Sequence, residues 1–411
     1  MRLPAECYQM GETIDAHFAA CLSPAQRRCL ACWVCGTTLA KSACQNAVIA
    51  ALLPLGLGSF ASLRQYLREW LYDGDDKAAP CHTQVTITLC FVPLLRWVLS
   101  LWRGEQLTLA VDVTNLQDRL HATPASGYPA SVVYRGCAIP VAWHLMPGGE
   151  KGAWTPELCR LLHTLAPAVP PQLQVLVVMD AGLRSPALWQ AAREHGWHPI
   201  QRHEQGLQFR PAGYHTFHRA ASLVKQPGEA WIGTGTAFKT KKAQRPATLL
   251  VVWEQDQQEP WVLLTDLDPQ TAGLSWYGLR FWIECGFRII KGMGWQWQKS
   301  QRTDSDRVAR HWLVMAVATT WVLATGSRVE DATLGDHLPA HFHMPPSCPR
   351  LTDRYPGGKR PVSVFLLGLA AAQDQLRRKC GWRCLWLAPE PWPEDPPGLT
   401  VTRHHGTEEA A

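Results

Sequence analysis

Leu107-Thr108-Leu109-Ala110-Val111-Asp112 and, further on, Val175-Leu176-Val177-Val178-Met179-Asp180 decide the fold. Each is a short, almost unbroken apolar run that closes on an aspartate. A strand with one wet face alternates apolar and polar residues. A run without alternation reads as a strand covered on both faces, the mark of a parallel sheet packed under helices. Between the two lie apolar runs at residues 130–134 and 139–145, separated by Arg135-Gly136-Cys137, which read as a hairpin. A helix is expected over residues 155–165 and another over 186–195. Strand, hairpin, helix, strand, helix is an α/β series, and such sheets build their sites at the carboxyl ends of the strands. Asp112 and Asp180 both stand there. Aspartate also ends strands and caps helices with no further role, so the pair needs a third element.

Working outward, residues 1–104 read as helical throughout. Ser23-Pro24 is an N-cap followed by proline at the first helical position, and residues 60–71 form an amphipathic stretch ended by Asp73-Gly74. Residues 201–260 turn β-like, with Gly, Thr and a strand run at 247–253. Residues 201–250 hold eight Lys/Arg against two acids, so this segment carries a charge equal to the whole chain's net +6. The strand Trp261-Val262-Leu263-Leu264-Thr265 follows. A long helix is expected over residues 271–293 and an apolar one over 305–325. The stretch 389–397 is rich in Pro and acids and is expected to be unstructured.

The 411 residues hold 46% hydrophobic and 18% charged side chains, which excludes a wholly disordered or fibrous chain. The longest apolar runs, 47–63 and 312–326, fall short of the roughly 18 residues of a membrane-spanning helix, and Met1–Glu6 does not open like a signal peptide. A cytoplasmic chain without a membrane partner is therefore expected, its 14 cysteines reduced thiols. Cys29, Cys32, Cys35 and Cys44 sit in a helical pattern without the turn glycines of a zinc knuckle. His337, His341, His343 and Cys348, and His215 with His218, read as surface residues. Twenty tryptophans suit either a core or stacking on bases.

The third element is Tyr277-Gly278-Leu279-Arg280-Phe281-Trp282-Ile283-Glu284-Cys285-Gly286-Phe287-Arg288-Ile289-Ile290-Lys291. At about 100° per residue, Tyr277, Arg280, Glu284 and Lys291 fall within one arc of about 60° on a helix, and Phe281 and the other apolar residues pack elsewhere. A solvated face with ion pairs gives the same pattern. Three carboxylates, two from strands and one from a helix, can instead hold two hard cations. Two such ions about 4 Å apart activate a water or hydroxyl and stabilise a leaving oxygen at phosphorus.

With these residues in order, the chain resembles a DDE transposase of the cut-and-paste insertion-sequence-four family, marked by Tyr-x2-Arg-x3-Glu-x6-Lys; every spacing is kept. The acidic motifs match at Leu109-Ala110-Val111-Asp112-Val113-Thr114 and Val177-Val178-Met179-Asp180-Ala181-Gly182. The resemblance covers about residues 20–325. It implies a helical DNA-binding domain (1–104), an RNase H-like catalytic core (105–200 and 261–326) interrupted by a basic β-rich insertion (201–260), and a C-terminal region (327–411) with a disordered Pro-rich tail. It further implies Asp112, Asp180 and Glu284 as metal ligands and catalytic residues, with two Mg²⁺ or Mn²⁺ ions. Tyr277, Arg280 and Lys291 become phosphate contacts, and Trp261 a platform for a base extruded during hairpin formation. Lys239, Lys241, Lys242 and Arg245 of the insertion suit a DNA backbone. The implied partner is double-stranded DNA, transposon ends and target, bound by a homodimer. A hydrolytic nuclease on the same core, without strand transfer, and an inactive DNA-binding relic remain open.

Overall fold

The computed structural model describes residues 5–77, 83–116, 125–146, 154–302, 304–334, 360–379 and 385–404. In chain order the helices α1 (Tyr8–Phe18), α2 (Pro24–Ala40), α3 (Gln45–Leu52), α4 (Phe60–Glu69) and α5 (Phe91–Leu101) come first. Strands β1 (Gln106–Val111), β2 (Thr114–Leu116), β3 (Ala125–Tyr134) and β4 (Cys137–Met146) follow, then α6 (Trp154–Leu165), β5 (Gln174–Met179) and α7 (Pro186–Arg193). Next are β6 (His198–His203), β7 (Gln208–Pro211), β8 (His218–Arg219), β9 (Glu229–Ala237), β10 (Arg245–Trp253) and β11 (Trp261–Thr265). The chain ends with α8 (Phe281–Arg288), α9 (Ser305–Leu334), α10 (Val364–Arg378) and β12 (Thr400–His404). The class is α/β, and up to Glu105 every element among the described residues is helical. His337, His341, His343 and Cys348 lie outside the described residues.

The elements fall into two compact units. One comprises Gln106–Asp112, Gln174–Phe281 and Trp392–Ala411. Its sheet begins with three parallel strands, β1, β5 and β6, in the register Val111↔Met179 and Met179↔Gln201. Both unbroken apolar runs are buried along their length, as the lack of alternation predicts. From β6 the sheet turns antiparallel through β11, β10, β9 and β7 to β8, and β12 pairs with β9. The segment 201–260 thus forms part of this sheet. The stretch 389–397 has neither helix nor strand, yet it is not loose. Trp392 is buried, donates its backbone N–H to Gln106 Oε1 at 3.0 Å and packs its ring on Trp276 at 4.6 Å. Asp395 accepts from the Leu274 N–H at 2.7 Å. Its composition predicts a free chain; one large aromatic with a pocket to fill overrides that.

The other unit comprises Met1–Glu105, Val113–Leu173 and Trp282–Pro391. Ser23 caps α2 in a reciprocal box: its Oγ accepts from the Gln26 N–H, while the Ser23 N–H donates to Gln26 Oε1 at 2.8 Å. The β3–β4 hairpin closes through Arg135 and Gly136, both at positive φ (43° and 78°), the turn whose twist matches the strands. Arg135 is buried there. Its guanidinium donates to Glu330 at 2.8 Å, to Asp331 at 2.9 Å and to the Ala388 carbonyl at 2.8 Å. Helix α9 is the centre of the unit. It is longer than the expected 305–325 and, by length and composition, apolar enough to cross a membrane; 89% of its apolar window is buried inside the protein. His311 of α9 is fully buried between Trp33 (4.9 Å) and Trp297 (5.1 Å). Cys7 and Cys35 form a disulfide, against the expectation that every cysteine is reduced, because α1 and α2 pack side by side and bring them together.

Two glycines set how closely α9 and α10 pack. A Cβ on Gly326 would lie 2.0 Å from the Val364 carbonyl oxygen, and one on Gly368 1.8 Å from that of Val322. Backbone cannot yield as a side-chain tip can, so Gly368→Ala is expected to lower unfolding stability by about 1–3 kcal/mol, read as a drop in denaturant midpoint. Burial holds the His311 imidazole well below its ordinary pKa, with Arg302 adding to the effect. The unfolded chain therefore takes up a proton near pH 6.5 that the folded one refuses. Stability is expected to fall as pH drops below about 6.5, with a slope of up to about 1.4 kcal/mol per pH unit from this group. His311→Leu should flatten that slope in denaturant titrations between pH 7 and 5.

Candidate active site

The in-register pairing of β1 with β5 fixes the first two acids. Val111 lies opposite Met179, so Asp112 and Asp180, each the next residue, emerge abreast from strands about 4.8 Å apart. Two carboxylates so placed repel one another, and the chain answers with donors. Asp112 is 8% exposed and accepts from Arg280 Nη1 at 2.7 Å. Asp180 accepts from the Tyr277 hydroxyl at 3.0 Å, and Arg202 Nη1 stands 4.0 Å from it.

The long helix expected over residues 271–293 is broken into three windings, and this brings the donors to bear. Residues Trp276–Arg280 form a 3-10 turn, α8 follows, and Ile289–Met293 is a π turn in which Ile289 accepts from both Gly294 and Trp295. In a 3-10 turn residues three apart eclipse. Tyr277 and Arg280 therefore project together, one to each aspartate. The uniform 100° spacing does not carry from Tyr277 to Lys291. Burial raises the Tyr277 phenol well above its ordinary range, so it stays a neutral donor toward Asp180.

Glu284 lies in the first turn of α8 and is exposed; Lys291 lies in the π turn, half-buried, with its ammonium 5.9 Å from the Phe287 ring centre. Burial pulls the Lys291 pKa down. Trp261 opens β11, where its ring meets Tyr277 edge-on at 5.2 Å and stacks on Phe281 at 6.1 Å. Phe281, expected to pack away, is 42% exposed, and the Arg280 guanidinium lies 5.2 Å over its ring. Lys239, Lys241 and Lys242 are exposed on the connection between β9 and β10. Arg245 begins β10 half-buried, its guanidinium 4.8 Å over Phe238. Sequence patterning missed Arg202 and Phe281. Arg202 borders Asp180 only because β6 is the next strand over, and no spacing in the chain reports strand order.

Two carboxylates abreast offer oxygen-only donors, which suit a hard divalent cation. Among the described residues, however, no group of three or more His, Cys, Asp or Glu is set closely enough to hold a metal ion. Asp112 is engaged by Arg280 instead, so a cation has to share or displace that guanidinium.

Compared with known families, residues 127–321 match the model of the transposase DDE domain. The matched residues include Asp180, Trp261, Tyr277, Arg280, Glu284 and Lys291; Asp112 lies before them. No curated protein matches the chain. Over these residues the chain is similar to that domain, and the similarity supports transposase function, with DNA as the implied partner.

The two aspartates differ in what their loss should cost. Asp112→Asn strips the charge from a pair whose side chains are only 7% and 11% exposed, and it is expected to destabilise the fold by about 2–4 kcal/mol. Asp180 and Arg202 are 35% and 38% exposed and 4.0 Å apart, so Asp180→Asn should cost less than about 1 kcal/mol. Chemical denaturation of the two variants beside the parent chain measures the difference.

Proposed function

We propose that the transposase DDE domain matched in this chain cuts and rejoins DNA with Asp112, Asp180 and Glu284 as its catalytic carboxylates, on an RNase H-like core interrupted by the β-rich segment 201–260. The observation that carries this reading is the pair Asp112 and Asp180, abreast on in-register parallel strands, in a chain whose residues 127–321 match that domain. DDE transposases use divalent metal ions. Asp112 and Asp180 would hold two of them, Mg²⁺ or Mn²⁺, with Glu284 from α8 drawn up to them and Arg280 displaced from Asp112 as the ions bind. When bound, the ions supply positive charge to the oxygens around the reacting phosphorus.

The chain's own residues do the rest. Tyr277, kept neutral by burial, fixes the Asp180 carboxylate through its hydroxyl. Arg280 and Lys291 neutralise phosphate oxygens of the strand being cut. Phe281, exposed and stacked on Trp261, extends the aromatic face offered to an extruded base, a contact worth about 1–3 kcal/mol. Lys239, Lys241, Lys242 and Arg245 hold the flanking backbone. The reaction is cut and paste: water nicks the strand at the element's end, and the freed 3′-OH attacks the opposite strand to give a hairpin. Water opens the hairpin, and the 3′-OH then attacks target DNA. The helical residues 1–104 bind the DNA ends, and two copies of the chain bring two ends together.

Glu284→Gln is expected to abolish cleavage, by at least about a thousandfold, with end binding retained. With the parent chain, Mg²⁺ and a labelled DNA end, a strand-transfer assay should yield joined product. Nicked product that is never joined would mark a hydrolytic nuclease instead. Lys241→Ala combined with Lys242→Ala should weaken DNA binding and reduce the slope of log affinity against log salt by roughly one unit for each phosphate these lysines neutralise. A slope equal to the parent's would return these lysines to an ordinary solvated turn.

A further inference from the structure

Two cysteines in the helical residues before Glu105 form a pair that the transposase reading does not use. Cys21 follows α1, and Cys90 immediately precedes α5. Their sulfurs lie 3.7 Å apart although 69 positions separate them in the chain. The two are unlike. Cys90 is fully buried, while Cys21 is half-buried and can be reached from solvent. The Cys21 sulfur also lies 3.5 Å from the Phe18 carbonyl oxygen. At its other end α1 starts directly after Cys7, which is already bonded to Cys35 of α2.

We propose that Cys21 and Cys90 are a redox modification site, a dithiol that small-molecule disulfides oxidise to a second cross-link, holding the end of α1 to the start of α5. Cys21 is the attacking thiol and Cys90 the resolving one. The hydrogen bond with Cys90 holds the Cys21 thiol below its ordinary range, helped by Arg27, and the same bond together with burial holds Cys90 above its own. The thiolate is the nucleophile in such exchange. Cys21 gives its proton to solvent and attacks one sulfur of the disulfide R–S–S–R. A Cys21–S–S–R bond forms, and R–S⁻ leaves and is protonated. Capping Cys21 removes the negative charge that kept Cys90 protonated. Cys90 then loses its proton to solvent and attacks the Cys21 sulfur, expelling the second R–S⁻. Two protein thiols are oxidised and one disulfide is reduced to two thiols.

The test treats the full-length chain with oxidised glutathione, follows intact mass, and maps the linked peptides. The parent chain should lose two hydrogens and yield a Cys21–Cys90 cross-linked peptide, with no lasting glutathione adduct at Cys21. Cys90→Ser should trap the adduct on Cys21, and Cys21→Ser should give neither product at either position. The rate of Cys21 capping should reach its half-maximum at a lower pH than that of an ordinary exposed thiol measured alongside. Thermal melts of both variants check that each is folded. A parent chain that keeps glutathione on Cys21, or that reacts at other cysteines and leaves Cys21 and Cys90 unlinked, overturns the proposal.

Discussion

The parallel pairing of β1 with β5 is the constraint on which the candidate site depends. It sets Asp112 beside Asp180 by register alone, and like charges that close are unfavourable unless each gains a partner. The 3-10 turn at residues 276–280 supplies both partners at once, because its three-residue period aims Tyr277 and Arg280 in the same direction. An α-helix there would turn Arg280 about 60° away from Tyr277. The local winding thus lets a single turn meet both charges.

The unit built around α9 solves a different problem: a helix this apolar has to be covered on every side. Tryptophans 312 and 321 and the rings of Trp33 and Trp297 around His311 fill that space. On the α10 side Gly326 and Gly368 let two backbones approach closely. Arg310 near the start of α9 is buried against Asp73, while another group of buried charges lies toward the C-terminal end of the helix. There Arg135 and Arg360 meet Glu330, and Arg360 also meets Glu390, so each carboxylate and guanidinium has a counterpart. Removing one member would leave the others charged and desolvated, which costs far more than the network contributes when intact.

Much of this was legible in the chain because it is local. Unbroken apolar runs ending in Asp112 and Asp180 announced buried strands, and β1 and β5 lie within a residue of where the runs place them. Ser23-Pro24 announced a helix start, and Arg135-Gly136 a tight hairpin. The spacing of Tyr277, Arg280, Glu284 and Lys291 marked candidate residues, of which Tyr277 and Arg280 meet the two aspartates, although the even helical arc drawn through all four does not exist. A residue count alone cannot tell a 3-10 turn, an α-helix and a π turn in succession from one long helix.

What the sequence by itself determined is therefore the apolar runs that became β1, β3, β4, β5, β10 and β11, the Ser23 cap and the aspartates that end β1 and β5, since apolar periodicity and side-chain chemistry act over a few residues. Only the tertiary structure decided which strand lies next to which. Strand order put Arg202 beside Asp180, packing exposed Phe281 on Trp261, and the meeting of α1 with α2 and α5 paired Cys7 with Cys35 and Cys21 with Cys90. These contacts join residues tens of positions apart, and no short-range pattern encodes a distance that arises only when separate apolar faces bury one another.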